Sequence, residues 1–176
     1  KCFSDSQVQI DHEMHAFGLI WETYWIKVSD EVFLHYAINI TENKQAEKEL
    51  LASENRNREI IENSQAGYFY INHEGLYQKV NATWLNLHKY DNADEVIGKH
   101  FGITQVDMDL KSAKKIVEEI LKGDQIPSGE FSRLCKDGSI AYHNFSCNKV
   151  LKDEKVIGLE GFLIDTTERK KAEEKL

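Results

Sequence analysis

Leu163-Ile164-Asp165-Thr166-Thr167-Glu168-Arg169-Lys170-Lys171-Ala172-Glu173-Glu174-Lys175-Leu176 matches an earlier run, Ala37-Ile38-Asn39-Ile40-Thr41-Glu42-Asn43-Lys44-Gln45-Ala46-Glu47-Lys48-Glu49-Leu50. The copies lie 126 residues apart (167 − 41), a domain-sized interval and not a solenoid period. One complete unit is therefore expected between them, and only the end of an earlier unit before Thr41. Each copy has the same grammar. An apolar run (33–40 or 156–164) reads as a strand. Asn39 or Asp165 follows, then Thr41 or Thr167, read as an N-cap whose hydroxyl accepts from the free N–H groups of a first helical turn. Glu42 or Glu168 then places negative charge at the positive end of a helix. Lys44 and Lys170 occupy the position where a capping box needs Glu or Gln, so that reciprocal bond is missing. A strand is thus wired straight into an exposed helix.

Outward from the first copy, no Gly or Pro interrupts residues 42–63, which read as one helix. Ala46, Leu50, Ser53, Asn57, Ile60 and Ser64 fall on one seam at alternating steps of four and three. That seam is too polar for a strong coiled coil, which leaves a weak two-stranded contact or packing on its own domain. From Gly67 the pattern becomes strand-like: residues 67–72 and 76–81 flank the turn His73-Glu74-Gly75. Asn81 caps an apolar-periodic segment carrying Trp84, Leu85, Leu87 and Tyr90. Lys111 to Lys122 reads as a helix with Ala113, Ile116, Val117, Ile120 and Leu121 on one face, ended by Gly123. Strands at 129–136 and 139–151 meet at Asp137-Gly138, a strong hairpin signal, and residues 152–155 turn into the last strand. The order predicts an α+β domain with helices on one side of an antiparallel sheet.

Hydrophobic residues make up 41% and charged residues 30% of the 176, the balance of a globular chain. The net charge of −8 disfavours nucleic acid and anionic membrane surfaces as partners. Apolar runs such as Phe162-Leu163-Ile164 fall far short of the ~20 residues that a membrane-spanning helix needs. Lys1-Cys2-Phe3 opens without a charged-then-apolar leader, so no signal peptide is expected and the segment reads as a cytoplasmic piece of a longer protein. Cys2, Cys135 and Cys147 are odd in number and form no Cys-x-x-Cys, which argues against a disulfide framework or zinc knuckle and for small apolar fillers.

Val80-Asn81-Ala82, Glu95-Val96-Ile97-Gly98-Lys99, Lys136-Asp137-Gly138-Ser139 and the terminal Ile164-Asp165-Thr166-Thr167-Glu168-Arg169 occur in the order found in the PAS domain family, which the chain resembles from about Glu54 to Leu176. Thr166 departs from the family's usual Asp-Ile-Thr-Glu-Arg ending. The resemblance implies a PAS fold: an antiparallel five-stranded sheet with short helices on one face and an N-terminal linker helix. Residues 1–41 would be the C-terminal strands of a truncated preceding unit, with Trp25 and Tyr36 in its last strands. Residues 42–63 would be the linker helix, 64–167 the complete domain and 168–176 the start of an output helix. Such domains serve as sensory and relay modules of histidine kinases, diguanylate cyclases and similar proteins. Their signal junction would map to Asp165, Thr167 and Glu168, and to Asn39, Thr41 and Glu42 in the first copy.

The resemblance also implies a pocket between sheet and helices. Tyr68, Phe69, Tyr70 and Ile71, with Trp84 and Phe131, are placed to line it, as core or as a ligand site, and His100 lies near its helical side. A photoactive flavin is argued against: residues 98–104 contain no Cys, and Leu163 stands where the flavin-bonding Gln of the final strand would fall. An axial-His haem is argued against because residues 111–122 contain no His. The seven histidines form no HExxH, no Gly-rich phosphate loop or GxSxG elbow occurs, and no catalytic site or metal is expected. Two functional readings follow. One is a ligand-free relay that dimerises through helix 42–63 and abuts PAS or kinase domains of the same chain; the other is a sensor with a small molecule in its apolar pocket.

Overall fold

The computed structural model describes residues 8–122 and 128–175. Gly123, expected to stop a helix, lies outside the described residues, as do Cys2 and Leu176. The chain divides into two compact units within one helix, at Asn57/Arg58.

In the first unit, β1 (Val8–Ala16), β2 (Leu19–Lys27) and β3 (Phe33–Asn39) form an antiparallel sheet in that order. Phe17 and Gly18, both at positive φ (54° and 74°), make the tight two-residue loop whose twist suits a hairpin. Cross-strand stacking of Tyr24 on Tyr36 (4.7 Å) and of Trp25 on His35 (3.9 Å) fixes the β2–β3 register. The strand β1 lies within residues 1–41, read from the sequence as closing strands, and its ladder is irregular between Asp11 and Met14, where Asp11, His12 and Glu13 interrupt the apolar alternation. Every residue of β3 is exposed, and Thr23 is the sole buried residue described in this sheet. The helix α1 (Thr41–Glu62) follows and has no buried residue.

The second unit runs β4 (Gly67–Asn72), β5 (Tyr77–Val80), α2 (Ala82–His88), short 3-10 turns at Ala93–Glu95 and Phe101–Thr104, then α3 (Asp107–Leu121). It ends with β6 (Gly129–Leu134), β7 (Ile140–Lys152), β8 (Lys155–Asp165) and α4 (Thr167–Glu173). The sheet order is β5-β4-β8-β7-β6, antiparallel throughout, so the last strand lies at its centre. A side chain at Gly158 would meet the Ile71 carbonyl oxygen at 2.2 Å, and one at Gly161 the Ser146 carbonyl oxygen at 2.4 Å. Glycine at both positions lets β4 and β7 close on β8. Helix α3 starts four residues before the expected Lys111, with Asp107 and Asp109 favourably placed in its first turn. Its apolar face covers the sheet and builds the core with Trp84, Ile71, Leu159 and Val96.

Asn81 organises the entry to α2. Its Oδ1 accepts from the Trp84 N–H (2.8 Å), the expected cap, and also from the Tyr68 N–H (2.8 Å). Its Nδ2 donates to the carbonyls of Ile61 (2.8 Å) and Ala66 (3.0 Å). The whole side-chain amide is satisfied inside the protein.

Candidate functional site

The two repeated junctions have one geometry. At Thr41 the hydroxyl accepts from the Ile20 N–H of β2 (2.8 Å), while the Ile40 N–H donates to the Ile20 carbonyl (2.9 Å). At Thr167 the hydroxyl accepts from the Tyr142 N–H of β7 (3.0 Å), while the Thr166 N–H donates to the Tyr142 carbonyl (3.0 Å). The acid or amide two residues earlier takes the helix's leading N–H: Asn39 from Thr41 (3.0 Å), Asp165 from Thr167 (2.7 Å). This corrects the expected capping chemistry. Each threonine is the first helical residue, and its hydroxyl clasps the backbone of the neighbouring strand instead of capping its own helix. Glu42 and Glu168 are exposed in the first turns, and Glu168 lies 3.7 Å from Lys171.

Arg133 ties the second junction to the rest of its unit. Only 3% exposed, it donates from Nε to the Leu87 carbonyl (3.0 Å), from one terminal nitrogen to the Tyr142 carbonyl (2.8 Å), and from the other to the Asp165 carboxylate. Burial works against the Asp165 anion, but the Thr167 N–H and hydroxyl and the Arg133 guanidinium outweigh it and hold the carboxyl below its ordinary value. Helix α4 is held from outside by Glu130, which accepts from the Thr166 hydroxyl (3.0 Å) and from Arg169 (3.0 Å) and lies 3.4 Å from Lys170.

Between the sheet and α2–α3 lies a cavity of about 80 Å3. At about 10–15 Å3 per water it holds several water-sized groups, and it is far below the ~300–1,000 Å3 of sites for drug-sized ligands. Its walls are mostly apolar: Phe69, Ile71, Phe131, Phe145, Leu159 and Leu163 among them. Polar groups enter from Tyr77, Trp84, His88, Thr104, Gln105 and His143. The Tyr77 hydroxyl is paired with that of Thr104 (2.9 Å). His88 stacks on Trp84 (3.9 Å), and its Nδ1 lies 2.9 Å from the Trp84 carbonyl, which can only accept, so that nitrogen carries the proton. Burial depresses both imidazoles, His88 to about 3 and His143 to about 4, with Arg133 nearby acting in the same direction. Burial pushes the lining Cys147 thiol up to about 11. Trp84 Nε1 and His143 Nδ1 are buried without a partner.

Of the residues expected to line a pocket, Trp84 and Phe131 do so, as do Phe69 and Ile71. Tyr68 and Tyr70 do not: with a two-residue side-chain period they share the face of Phe162 and Glu160, opposite the cavity. The Tyr68 hydroxyl donates to Glu160 (2.7 Å) and its ring packs by Phe162 (5.4 Å). His100 also lies outside the lining, because its Nδ1 accepts from the Gly102 N–H (3.0 Å) to cap the second 3-10 turn and its ring packs on Phe101 (4.4 Å). His88 and His143 are the histidines at the cavity. Neither belongs to a recognisable motif, and Arg133 is one charged residue within a strand pattern, so none was singled out from the sequence. Leu163, at the position where a flavin-bonding amide was looked for, lines the cavity with an apolar side chain. Among the described residues no group of three or more His, Cys, Asp or Glu could hold a metal ion. No described helix is long and apolar enough to cross a membrane.

A sequence profile described as "PAS domain" matches residues 65–168. Solved structures share the fold at low identity. A PAS domain of a protein from Colwellia psychrerythraea is 19% identical, with 65% of this chain and 98% of that one covered and a TM-score of 0.61. A domain of the sensory box sensor histidine kinase/response regulator from Geobacter sulfurreducens is 22% identical, over 66% of this chain and 96% of that one, with a TM-score of 0.56. The Rhodobacter sphaeroides LOV protein is 11% identical, over 66% of this chain and 72% of that one, with a TM-score of 0.53. No curated protein matches.

Proposed function

This chain belongs to the PAS domain family, and from that premise we propose that it is a relay element of a cytoplasmic sensory protein of the histidine-kinase type. PAS domains are non-catalytic sensor modules. In this reading, movement of β8 reaches α4 through Asp165, Thr167 and Glu168, and Asn39, Thr41 and Glu42 do the same for residues 1–41, the closing strands of a preceding PAS unit. The observation that carries the reading is the repeated clasp, in which a threonine at the head of a helix bonds the strand beside the one that feeds it. A helix so attached cannot turn without disturbing that strand. The kinase context is drawn from the Geobacter sulfurreducens neighbour. The adjoining partners are then PAS or kinase domains of the same chain. The charge of −8 favours neither nucleic acid nor membrane.

Self-association belongs to the same reading, through α1, where Leu50 (62% exposed) and Ile60 (62%) are left open to a second copy. The test is output from the full-length protein. Thr167→Val, with the fold verified by circular dichroism, is expected to change basal autophosphorylation severalfold, and unchanged output in a folded variant rejects the relay. In sedimentation, Leu50→Asp is expected to shift a dimer towards monomer; a wild-type monomer at high concentration removes the dimer. A second reading, a sensor of a small molecule, is favoured by one observation: the cavity is lined by two residues with unpaired buried polar atoms.

A further inference from the structure

Lys44 and Lys170 stand where a capping box would place Glu or Gln, so capping gives them no role. Both close the first turn of their helix: the Lys44 N–H donates to the Ile40 carbonyl (3.0 Å) and the Lys170 N–H to the Thr166 carbonyl (2.9 Å). Their ammonium groups meet a glutamate on the strand beyond the one that the threonine clasps. Lys44 lies 2.5 Å from Glu13 on β1, and Lys170 lies 3.4 Å from Glu130 on β6. The two glutamates hold equivalent places. Thr41 clasps Ile20, which pairs with His15, and Thr167 clasps Tyr142, which pairs with Ser132; Glu13 and Glu130 each stand two residues before that pairing partner. Resting on the relay reading for its effect on output, we propose that Lys44 and Lys170 are positioning residues, each latching the head of the helix that leaves its unit onto this further strand.

The sequence repeat alone does not carry the pair. The lysines are 126 residues apart (170 − 44) but the glutamates only 117 (130 − 13), so strand pairing, not a shared spacing, brings each lysine to its glutamate. The mechanics follow from the number of attachments. A threonine clasp holds the helix head at one point, about which it can swivel; a second bond to a different strand sets its direction. The chemistry of both carboxylates agrees. Lys44 holds the Glu13 carboxyl below its ordinary value. Burial works against the Glu130 anion, but the Thr166 hydroxyl, Arg169 and Lys170 outweigh it and lower that carboxyl too. Because Glu130 serves three partners, the first latch is the simpler one to test. Its side chains are partly exposed, Lys44 36% and Glu13 52%. Ion pairs of this kind add little to global stability and are weakened by salt. Such a bond steers a helix without locking it.

Amide hydrogen exchange at Lys44, Gln45 and Ala46 of the 176-residue chain reads the first latch. Glu13→Gln and Lys44→Met are each expected to lower protection there severalfold, with the melting temperature almost unmoved. The double variant is expected to fall no lower than either single, and Lys44→Arg to keep the protection. Salt at about 1 M is expected to lower protection in the wild type and to add nothing in the double variant. Lys44 also lies 3.5 Å from Glu47 of its own helix. A silent Glu13→Gln, with Lys44→Met acting through Glu47 alone, overturns the latch, as do single effects that simply add in the double variant. In the full-length protein, Lys170→Met is expected to shift basal autophosphorylation in the same direction as Thr167→Val. A shift with Thr167→Val and none with Lys170→Met also overturns the proposal. Silence of both in folded variants rejects the relay reading instead, and the exchange measurements, which need no kinase, still decide the latch.

Discussion

Arg133 on β6 reaches across β7 to the carboxylate of Asp165 at the end of β8. In passing it takes up the carbonyl of Tyr142, the residue whose N–H is clasped by Thr167. Its Nε also holds the Leu87 carbonyl at the end of α2, beside the buried His88. One side chain therefore joins the cavity-lining helix, the sheet and the head of α4.

Replacing Arg133 by Ala removes one donor each from the Leu87 and Tyr142 carbonyls and the Asp165 carboxylate, and the Thr166 and Thr167 N–H groups still serve Tyr142 and Asp165. Removal of one partner from a fully buried pair costs ~3–5 kcal/mol. Because the Asp165 side chain is 38% exposed, water screens part of that loss, and about 2–3 kcal/mol is expected. Urea unfolding of Arg133→Ala, Asp165→Asn and the double variant forms the measurement. A double variant as costly as the two singles added together would mean that the pair is not coupled.

The clasps are local, and amide hydrogen exchange reads them directly. Thr167→Val removes the acceptor of the Tyr142 N–H, and loss of one hydrogen bond is worth about 1 kcal/mol. Faster exchange is expected at Tyr142 and not at Phe145, three residues further along the same strand. Thr41→Val is expected to act likewise at Ile20. Unaltered Tyr142 protection would show that the bond contributes nothing in solution.

Stability is expected to fall as the solution is acidified from neutrality. His88 and His143 have folded values of about 3 and about 4 against an ordinary 6.5. Between those limits the unfolded chain binds protons that the folded chain refuses, so stability is fully present above 6.5 and declines as pH drops through the window. The limiting slope is about 1.4 kcal/mol per pH unit for each histidine. Carboxylates held below their ordinary values, Asp165 among them, add a loss of the same sign only below about pH 4.5. Urea midpoints between about pH 7 and about pH 5 isolate the histidines. His100 is depressed by burial in the same direction, so His143→Gln is expected to reduce the slope without removing it, and a flat wild-type profile would place these rings in water.

Asn81→Ala strips an amide that makes four hydrogen bonds, to Tyr68, Trp84, Ile61 and Ala66. Loss of a cap costs ~1 kcal/mol and each stranded buried partner ~1–3 kcal/mol, so a penalty of roughly 3 kcal/mol or more is expected. Thermal unfolding checks it; a shift of only a degree or two would mean that water replaces the amide.

The sheet was legible where local chemistry decides it. Asp137-Gly138 turns β6 into β7 with Gly138 at φ 79°, and Asp153 and Glu154, at 49° and 62°, form the next tight loop. The faces of β4 were not legible. Tyr68-Phe69-Tyr70-Ile71 is apolar throughout, so alternation carries no sign, and packing of Phe69 and Ile71 against α2 and α3 decides it. The threonines were read as caps because that is the commonest local role of the residue. Their actual partners, Ile20 and Tyr142, are 21 and 25 residues away and are brought close only by strand pairing. Arg133 meets Leu87 and Asp165 across 46 and 32 residues, a convergence that no short window contains.

The stacking of Trp84 on His88 gives the molecule a built-in optical label. A fully enclosed indole emits at shorter wavelength than the partly hydrated Trp21 and Trp25 of the other sheet, and an imidazole dims its emission far more once protonated. The blue edge of the intrinsic fluorescence therefore follows the state of the second unit's interior, and the red edge that of the first, with no dye attached.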